Sequence, residues 1–270
     1  MNDEVICKSY VDAIEVKENV DYYDIDLPSF SYLKNLERSP SHYQSAIKEK
    51  KTKTPAMELG TAIHFSILEP EKFEKTIFIK LDGRTQAGKA QAENIKDFGL
   101  IALAQADFQN CLEIRQKLLS NQNMKNLLTG EAEKEYFYEF EGVKLKSKLD
   151  LVAKDYIVDL KTCEDCRDFA FTKNFVNYQY YAQAFLYQHA EFLNSGTKKP
   201  YLILALEKEP PFEYKIYHIS ESWLGFGEKK IKKWIEKYKQ CSANNDWHGY
   251  SHDVEDLNIP AWFLNKDISS

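Results

Sequence analysis

Asp150, Asp159 and Lys161 lie in the run LDLVAKDYIVDLKT (149–162), where two stretches of strand-like residues flank Lys154-Asp155. If the stretches are strands joined by a two-residue loop at Lys154-Asp155, Ala153 pairs with Tyr156. Counting outward then sets Asp150 directly across from Asp159. Directly opposed residues carry their Cβ atoms about 4.5 to 5.5 Å apart, close enough for two carboxylates to hold one ion. Two acids so placed repel unless a cation joins them or one keeps its proton. Alternate residues share a strand face, so Asp159 and Lys161 project together with Ile157. These are parts suited to metal-assisted hydrolysis of a phosphate ester. The acids hold divalent ions, and the amine orients or deprotonates a water and offsets the charge that builds on phosphorus.

The same alternation puts Lys144, Lys146 and Lys148 on the face of Asp150, and Val143, Leu145, Leu149 and Leu151 on the other. Taken alone, three such lysines are an ordinary solvated strand face. Beside the acids they read as a track for a polyanion.

Periodicity locates the elements around these residues. Residues 28–48 read as two short helices broken at Ser39-Pro40, and 57–70 as a helix that Pro70 helps to end. Residues 86–128, rich in Ala, Gln, Leu and Lys and lacking Pro, predict one or two long helices. After Gly130 the period becomes two, predicting a meander of strands over 133–140, 143–153 and 156–162. A helix over about 172–194 follows, then strands over 200–209 and 212–220 and a last long helix capped by Ser220. This order predicts an α/β (α+β) fold with a mixed central sheet flanked by helices. One domain is expected: a helical part to about residue 130, a sheet core over about 131–220, and a C-terminal helix and tail over 221–270.

With 43% hydrophobic residues the 270-residue chain can bury a large core, and 36 Lys+Arg against 42 Asp+Glu give a net charge of −6. That balance excludes a protein that coats nucleic acid through its whole surface, so any such contact is local. The N-terminus lacks the order of a signal peptide and no apolar run of transmembrane length occurs, so a cytoplasmic protein without a membrane partner is expected. Its cysteines, Cys7, Cys111, Cys163, Cys166 and Cys241, are then expected to be free thiols.

The spacing LD(x8)DLK resembles the PD-(D/E)xK nuclease signature. Gln183 and Tyr187, four apart on the helix after that strand, resemble the QxxxY motif of the same superfamily. Upstream, SPSHYQSAI, then TPAMELGTAIHFSILEPEKFE, then DGRTQAGK resemble the N-terminal part of the exodeoxyribonuclease VIII type of phage recombination exonuclease. The resemblance runs from about residue 26 to 190.

It implies a restriction-endonuclease-like core, with His64, Asp150 and Asp159 at the metal site, Lys161 as the catalytic lysine and Gln183 and Tyr187 as supports. A glutamate on the first meander strand is also implied. Glu131, Glu133 and Glu135 are candidates, and aligning KEYFYEFEG favours Glu133. Two Mg²⁺ ions are implied, with Mn²⁺ as a substitute. The expected activity is 5′ to 3′ digestion of linear double-stranded DNA, leaving 3′ tails for a single-strand annealing protein. A homo-oligomeric ring, trimer or tetramer, is implied as well. Arg84 and Lys148 are candidate DNA contacts, although a surface loop explains Arg84 about as well. Gly60, four before His64, is expected to admit a close neighbouring backbone.

Two other readings stand beside this one. An AddB-like iron–sulfur nuclease would use Cys7, Cys163, Cys166 and Cys241, although only Cys241 follows Tyr187. A catalytically silent DNA-end-binding module would keep the fold alone. The lysines of the last helix, Lys229 to Lys239, either touch DNA or keep that face wet, and the aromatic segment 247–263 packs on the body or on a neighbouring subunit.

Overall fold

The computed structural model describes residues 21–49, 54–98 and 100–260; Cys7, the N-terminal acidic segment and residues 261–270 lie outside them. Helix α1 (Phe30–Leu33) runs into a 3-10 turn at Lys34–Glu37. Helix α2 (Pro40–Lys48) then starts where the Ser39 hydroxyl accepts the His42 N–H and Pro40 takes the first position, which needs no N–H of its own. Helix α3 (Pro55–Leu68) repeats the device with Thr54 and Pro55. Pro70 ends that helix and opens another, α4 (Pro70–Thr76), which the sequence did not separate.

The segment 86–128 is not continuous helix. Helix α5 (Gln86–Phe98) and helices α6 (Gln105–Ser120) and α7 (Gln122–Leu127) are divided by a three-residue strand, β2 (Ile101–Leu103), which pairs in parallel with β1 (Ile77–Ile79). Both strands are too short to show a period against helix-forming neighbours.

The main sheet contains β3 (Glu131–Phe140), β4 (Val143–Val152), β5 (Ile157–Cys163), β6 (Tyr201–Glu207) and β7 (Tyr214–His218), in that spatial order. Within this sheet, among the described residues, β5 and β6 alone pair in parallel. The crossover between them holds two helices rather than the single one expected. Gln179, at φ +60°, ends α8 (Asp168–Asn177) and starts α9 (Tyr180–Ser195). Helix α10 (Glu221–Asn244), capped by Ser220, closes the fold.

The sheet is covered on both sides. Helices α1, α2, α8, α9 and α10 pack on one face around Leu33, Leu186, Ile231 and Trp234. Helices α3, α4, α6 and α7 pack on the other around Ile63, Ile114, Leu118 and Leu160. A mixed sheet flanked by helices is therefore what the chain forms. Gly227 lets α10 lie against α9; a Cβ there would stand 2.3 Å from the Tyr181 carbonyl oxygen. Trp247 stacks on Tyr43 at 5.3 Å, which seats the start of the C-terminal segment on the body. No helix among the described residues is long and apolar enough to cross a membrane.

Candidate active site

Strands β4 and β5 pair as Val152↔Ile157 and Leu151↔Val158, and the Ala153 N–H donates to the Tyr156 carbonyl at 2.9 Å. The next step would join Asp150 to Asp159, but the ladder stops there. Instead the Leu160 N–H donates to Asp150 Oδ2 at 2.8 Å, so a carboxylate occupies a place that a backbone carbonyl would otherwise take. On the other edge of β4 the register runs through Ala132↔Leu151 and Lys134↔Leu149, which sets Glu133 opposite Asp150, again without a ladder pair. Glu133 has φ +52°, a left-handed conformation costly for a residue with a Cβ.

This break corrects the simple alternation expected for β4. Leu149 packs with the α9 side of the sheet and Leu151 with the α3 side, so the strand turns over at Asp150. Three acids from adjacent strands, Glu133, Asp150 and Asp159, thus lie in a row where the sheet opens.

Helix α3 brings His64 to the same opening, with Nδ1 3.7 Å from Asp150 Oδ2. Ligand atoms of His64, Glu133 and Asp150 lie within 4.8 Å of one another. Burial first, and then the Lys161 charge, lowers the His64 pKa to about 4, so the ring is neutral at pH 7 and free to ligate. Burial, seconded by Asp150, pushes Glu133 up to about 7. Burial also raises Asp159, to about 6, although Lys161 pulls the other way, and it raises Asp150 against Lys161 and the Leu160 N–H. Each acid therefore holds its charge at a cost that a divalent cation would relieve.

Asp159 is 1% exposed, and neither of its oxygens makes a well-directed hydrogen bond among the described residues. Lys161 Nζ stands 2.5 Å from Asp159 Oδ2 and 4.8 Å from the centre of the Tyr180 ring. Burial opposes the ammonium, but Asp159 and Asp150 override it and raise its pKa. Oxygen donors with one imidazole suit a hard divalent ion such as Mg²⁺ or Mn²⁺. The buried Asp159 oxygens, which have the Lys161 ammonium beside them but no well-directed hydrogen bond, fit that ion as well.

Gln183 and Tyr187 approach from α9. Burial raises the Tyr187 pKa well above its ordinary value, and Tyr22, Asp159 and Asp150 add to that, while the Gln183 side chain beside the hydroxyl pulls the other way. Tyr180 and Tyr201 were not among the residues marked by motif spacing. Tyr201, on β6, buries a hydroxyl without a hydrogen-bond partner, near enough to Asp159 to feel its charge. Its place diagonal to Asp159 depended on β6 pairing in parallel with β5, which no local spacing reveals.

The remaining expected residues lie at the edge of this opening or beyond it. Lys148 is bound between Glu133 and Glu135, 3.4 Å from each, under the rings of Tyr22 and Tyr23. Lys146 is buried rather than lining a polyanion track. Its ammonium donates to the Tyr22 and Ile25 carbonyls at 2.7 and 2.6 Å, because residues 22–28 fold over the edge of β4. Arg84 is exposed and bonded to Asp82 of its own loop. A Cβ on Gly60 would meet only the Thr162 side chain at 3.6 Å, an ordinary contact, so the expected backbone approach is absent.

In the last helix Lys230 and Lys237 bind Glu37 and the Leu36 carbonyl, so part of the lysine run ties the helix to the N-terminal region. No cysteine joins a cluster of three possible metal ligands among the described residues. Cys163 and Cys166 are buried, and the Cys166 N–H donates to Glu207.

The chain has no match among curated protein sequences. A crystal structure from Eubacterium rectale, described as a "putative exonuclease", superposes with a TM-score of 0.66 at 16% identity, over 93% of this chain and all of that one. At that identity the likeness shows a shared fold. The structure of SSO0001 covers 90% of this chain and 95% of its own at 13% identity, with a TM-score of 0.32, too low to carry weight. Residues 29–258 match the family described as PDDEXK-like domain of unknown function (DUF3799). With the match spanning most of the chain, and with the mixed sheet placing Asp150, Asp159 and Lys161 at one opening, the protein belongs to this PDDEXK-like family within the PD-(D/E)xK nuclease superfamily.

Proposed function

We propose that this protein is a divalent-metal-dependent exodeoxyribonuclease that digests linear duplex DNA from 5′ ends and leaves 3′ single strands for annealing. The observation that carries the nuclease reading is the convergence of Glu133, Asp150 and Asp159 from three neighbouring strands on Lys161 and a neutral His64. DNA as substrate, the 5′ to 3′ polarity, the annealing partner and a ring of three or four subunits rest on the exodeoxyribonuclease VIII resemblance. Mg²⁺ is the natural ion for these donors, with Mn²⁺ able to replace it.

A bound divalent cation supplies Lewis acidity toward the scissile phosphate and lowers the pKa of a water beside it. His64, Glu133 and Asp150 would hold one ion, and Asp150 with Asp159 a second. Lys161, kept cationic by the acids around it, offsets charge gathering on the phosphate oxygens and orients the attacking water. The phosphate needs no rearrangement of this ammonium, because Asp159 and the Tyr180 face hold it in place. Gln183 and Tyr187 support the acids from behind and exclude bulk water, which strengthens every charge interaction in the opening.

A linear duplex labelled separately at its 5′ and 3′ ends, incubated with and without Mg²⁺, tests this reading. Mg²⁺-dependent release of the 5′ label first is expected. Release of the 3′ label first would overturn the polarity, and undiminished digestion by Lys161→Ala would overturn the site.

A further inference from the structure

Tyr178 and Tyr180 flank the left-handed residue Gln179 between α8 and α9. In an uninterrupted helix, residues two apart point about 200° apart around the axis and their rings diverge. The turn at Gln179 instead brings the rings together, with centroids 5.5 Å apart and planes inclined by 32°. A left-handed conformation at a residue with a Cβ is disfavoured, and such strain gathers at functional sites. The inner ring, Tyr180, lies over the Lys161 ammonium at 4.8 Å. The outer ring, Tyr178, is 54% exposed. A continuous aromatic surface therefore leads from the lysine that would face the scissile phosphate out to solvent.

We propose that Tyr178, backed by Tyr180, is a stacking platform for an unpaired nucleobase adjoining the scissile phosphate. Each phosphate carries its bases one sugar away, so a strand whose phosphate reaches Lys161 brings a base to this rim. Every base has a π-face, so such a platform accepts any sequence and prefers a frayed or single-stranded end over a paired interior. Protein partners with apolar surfaces could also cover an exposed tyrosine, but the direct ring path to Lys161 favours an occupant that enters the site itself. Acidic groups at the inner end of the path, Asp159 and Asp150, repel a bare phosphate placed without a cation. Stacking would hold the strand end against that repulsion.

The proposal rests on the nuclease reading, and the two can fail separately. The test measures kcat/KM with Mg²⁺ on oligonucleotides bearing either a normal residue or an abasic one next to the terminal scissile phosphate, on its 5′ or its 3′ side. For the wild type, the base-bearing substrate is favoured over one of the two abasic ones. In Tyr178→Ala that preference falls about tenfold, the range expected for loss of one stacked base. Tyr178→Phe and Tyr178→Trp retain it, because they keep the face and lose only the hydroxyl or gain area.

An unchanged preference in Tyr178→Ala overturns the platform, as does equal loss in Tyr178→Phe, which would assign the effect to the hydroxyl. If the wild-type protein cleaves none of the substrates, the nuclease reading fails first and the platform falls with it. Cleavage by the wild type with no preference for a base on either side overturns the platform alone.

Discussion

Two buried acids on the same side of the sheet show what separates a structural carboxylate from a site carboxylate. Glu191 on α9 and Asp159 on β5 are each 1% exposed, and each has a lysine at hand. Glu191 accepts the Tyr136 hydroxyl and meets Lys199 Nζ at 2.7 Å, while Lys199 also donates to the Ala153 carbonyl. Burial works against its charge, yet Lys199 and Tyr136 prevail and its pKa is lowered. Asp159 has Lys161 but no well-directed hydrogen bond, has Asp150 across the opening, and is pushed up to about 6. The first acid has all the partners it needs from the fold. The second is left short of them, and that deficit is what a cation can fill.

Several measurements can break or sharpen this contrast. The largest effect is expected from Lys161→Ala, which should reduce Mg²⁺-dependent hydrolysis about a thousandfold while leaving the circular dichroism spectrum intact. A substantial loss of folding instead would place Lys161 with the structural acids. Next, Glu191→Gln leaves the half-buried Lys199 without its counter-charge and the Tyr136 hydroxyl without its charged acceptor, and should cost about 3 kcal/mol in urea unfolding. A neutral result there would erase the distinction from the other direction. Third, Mg²⁺ or Mn²⁺ at a hundred times its Kd should stabilise the wild-type fold by about 2.7 kcal/mol, read as a rise in Tm. Asp150→Asn and Glu133→Gln should lose most of that rise.

Acidification should separate the two regions as well. Glu133 and Asp159 titrate near 7 and 6 in the fold, above their ordinary values of 4.5 and 3.8, so protons compete with the cation as pH falls through that range. The metal-induced rise in Tm should therefore fade between pH 7 and 5. The contribution of Glu191 has the opposite sign. Its pKa is depressed in the fold, so its stabilisation is complete above the unfolded value of 4.5 and is lost only as pH drops through the lowered one. A fold that lost stability over the same window in which it lost cation binding would contradict this. The smallest effect is expected from Gly227→Ala. The added methyl collides with the Tyr181 carbonyl and should cost about 1 to 3 kcal/mol, with a modest loss of activity as α9 shifts.

Local chemistry made much of this legible in the sequence. The two-residue turn was enough to count the register as far as Val152↔Ile157 and Leu151↔Val158, because hairpin register follows from loop length, although the ladder stops one step before Asp150 and Asp159. The break at Ser39-Pro40 and the helix start at Ser220 were equally local, whereas the Thr54-Pro55 start of α3 lies two residues ahead of the expected one. What failed depended on distant partners or on breaks in the period. Lys146 reads as a surface residue until residues 22–28 fold over it. Leu149 and Leu151 read as neighbours on one face until the strand turns over between them. Gln179 carries no glycine or proline signal to end a helix, so the division between α8 and α9, and the pairing of Tyr178 with Tyr180 that depends on it, were hidden. Tyr201 belongs to the same group, since a parallel strand reached after two helices cannot be placed by local counting.

Asp150 carries an architectural duty besides its place at the candidate metal site. Its Oδ2 accepts the Leu160 N–H and so fastens the backbone of β5, while standing 3.7 Å from His64 Nδ1. Replacement by asparagine would keep an oxygen for the fastening and forfeit the negative charge, whereas alanine would undo the seam between the strands as well. An inactive Asp150→Asn protein should therefore crystallise in the native arrangement, and an Asp150→Ala protein should not be trusted to report on chemistry alone. Substitution tables at such a position would mix two selective pressures, one from folding and one from reactivity, in a single column.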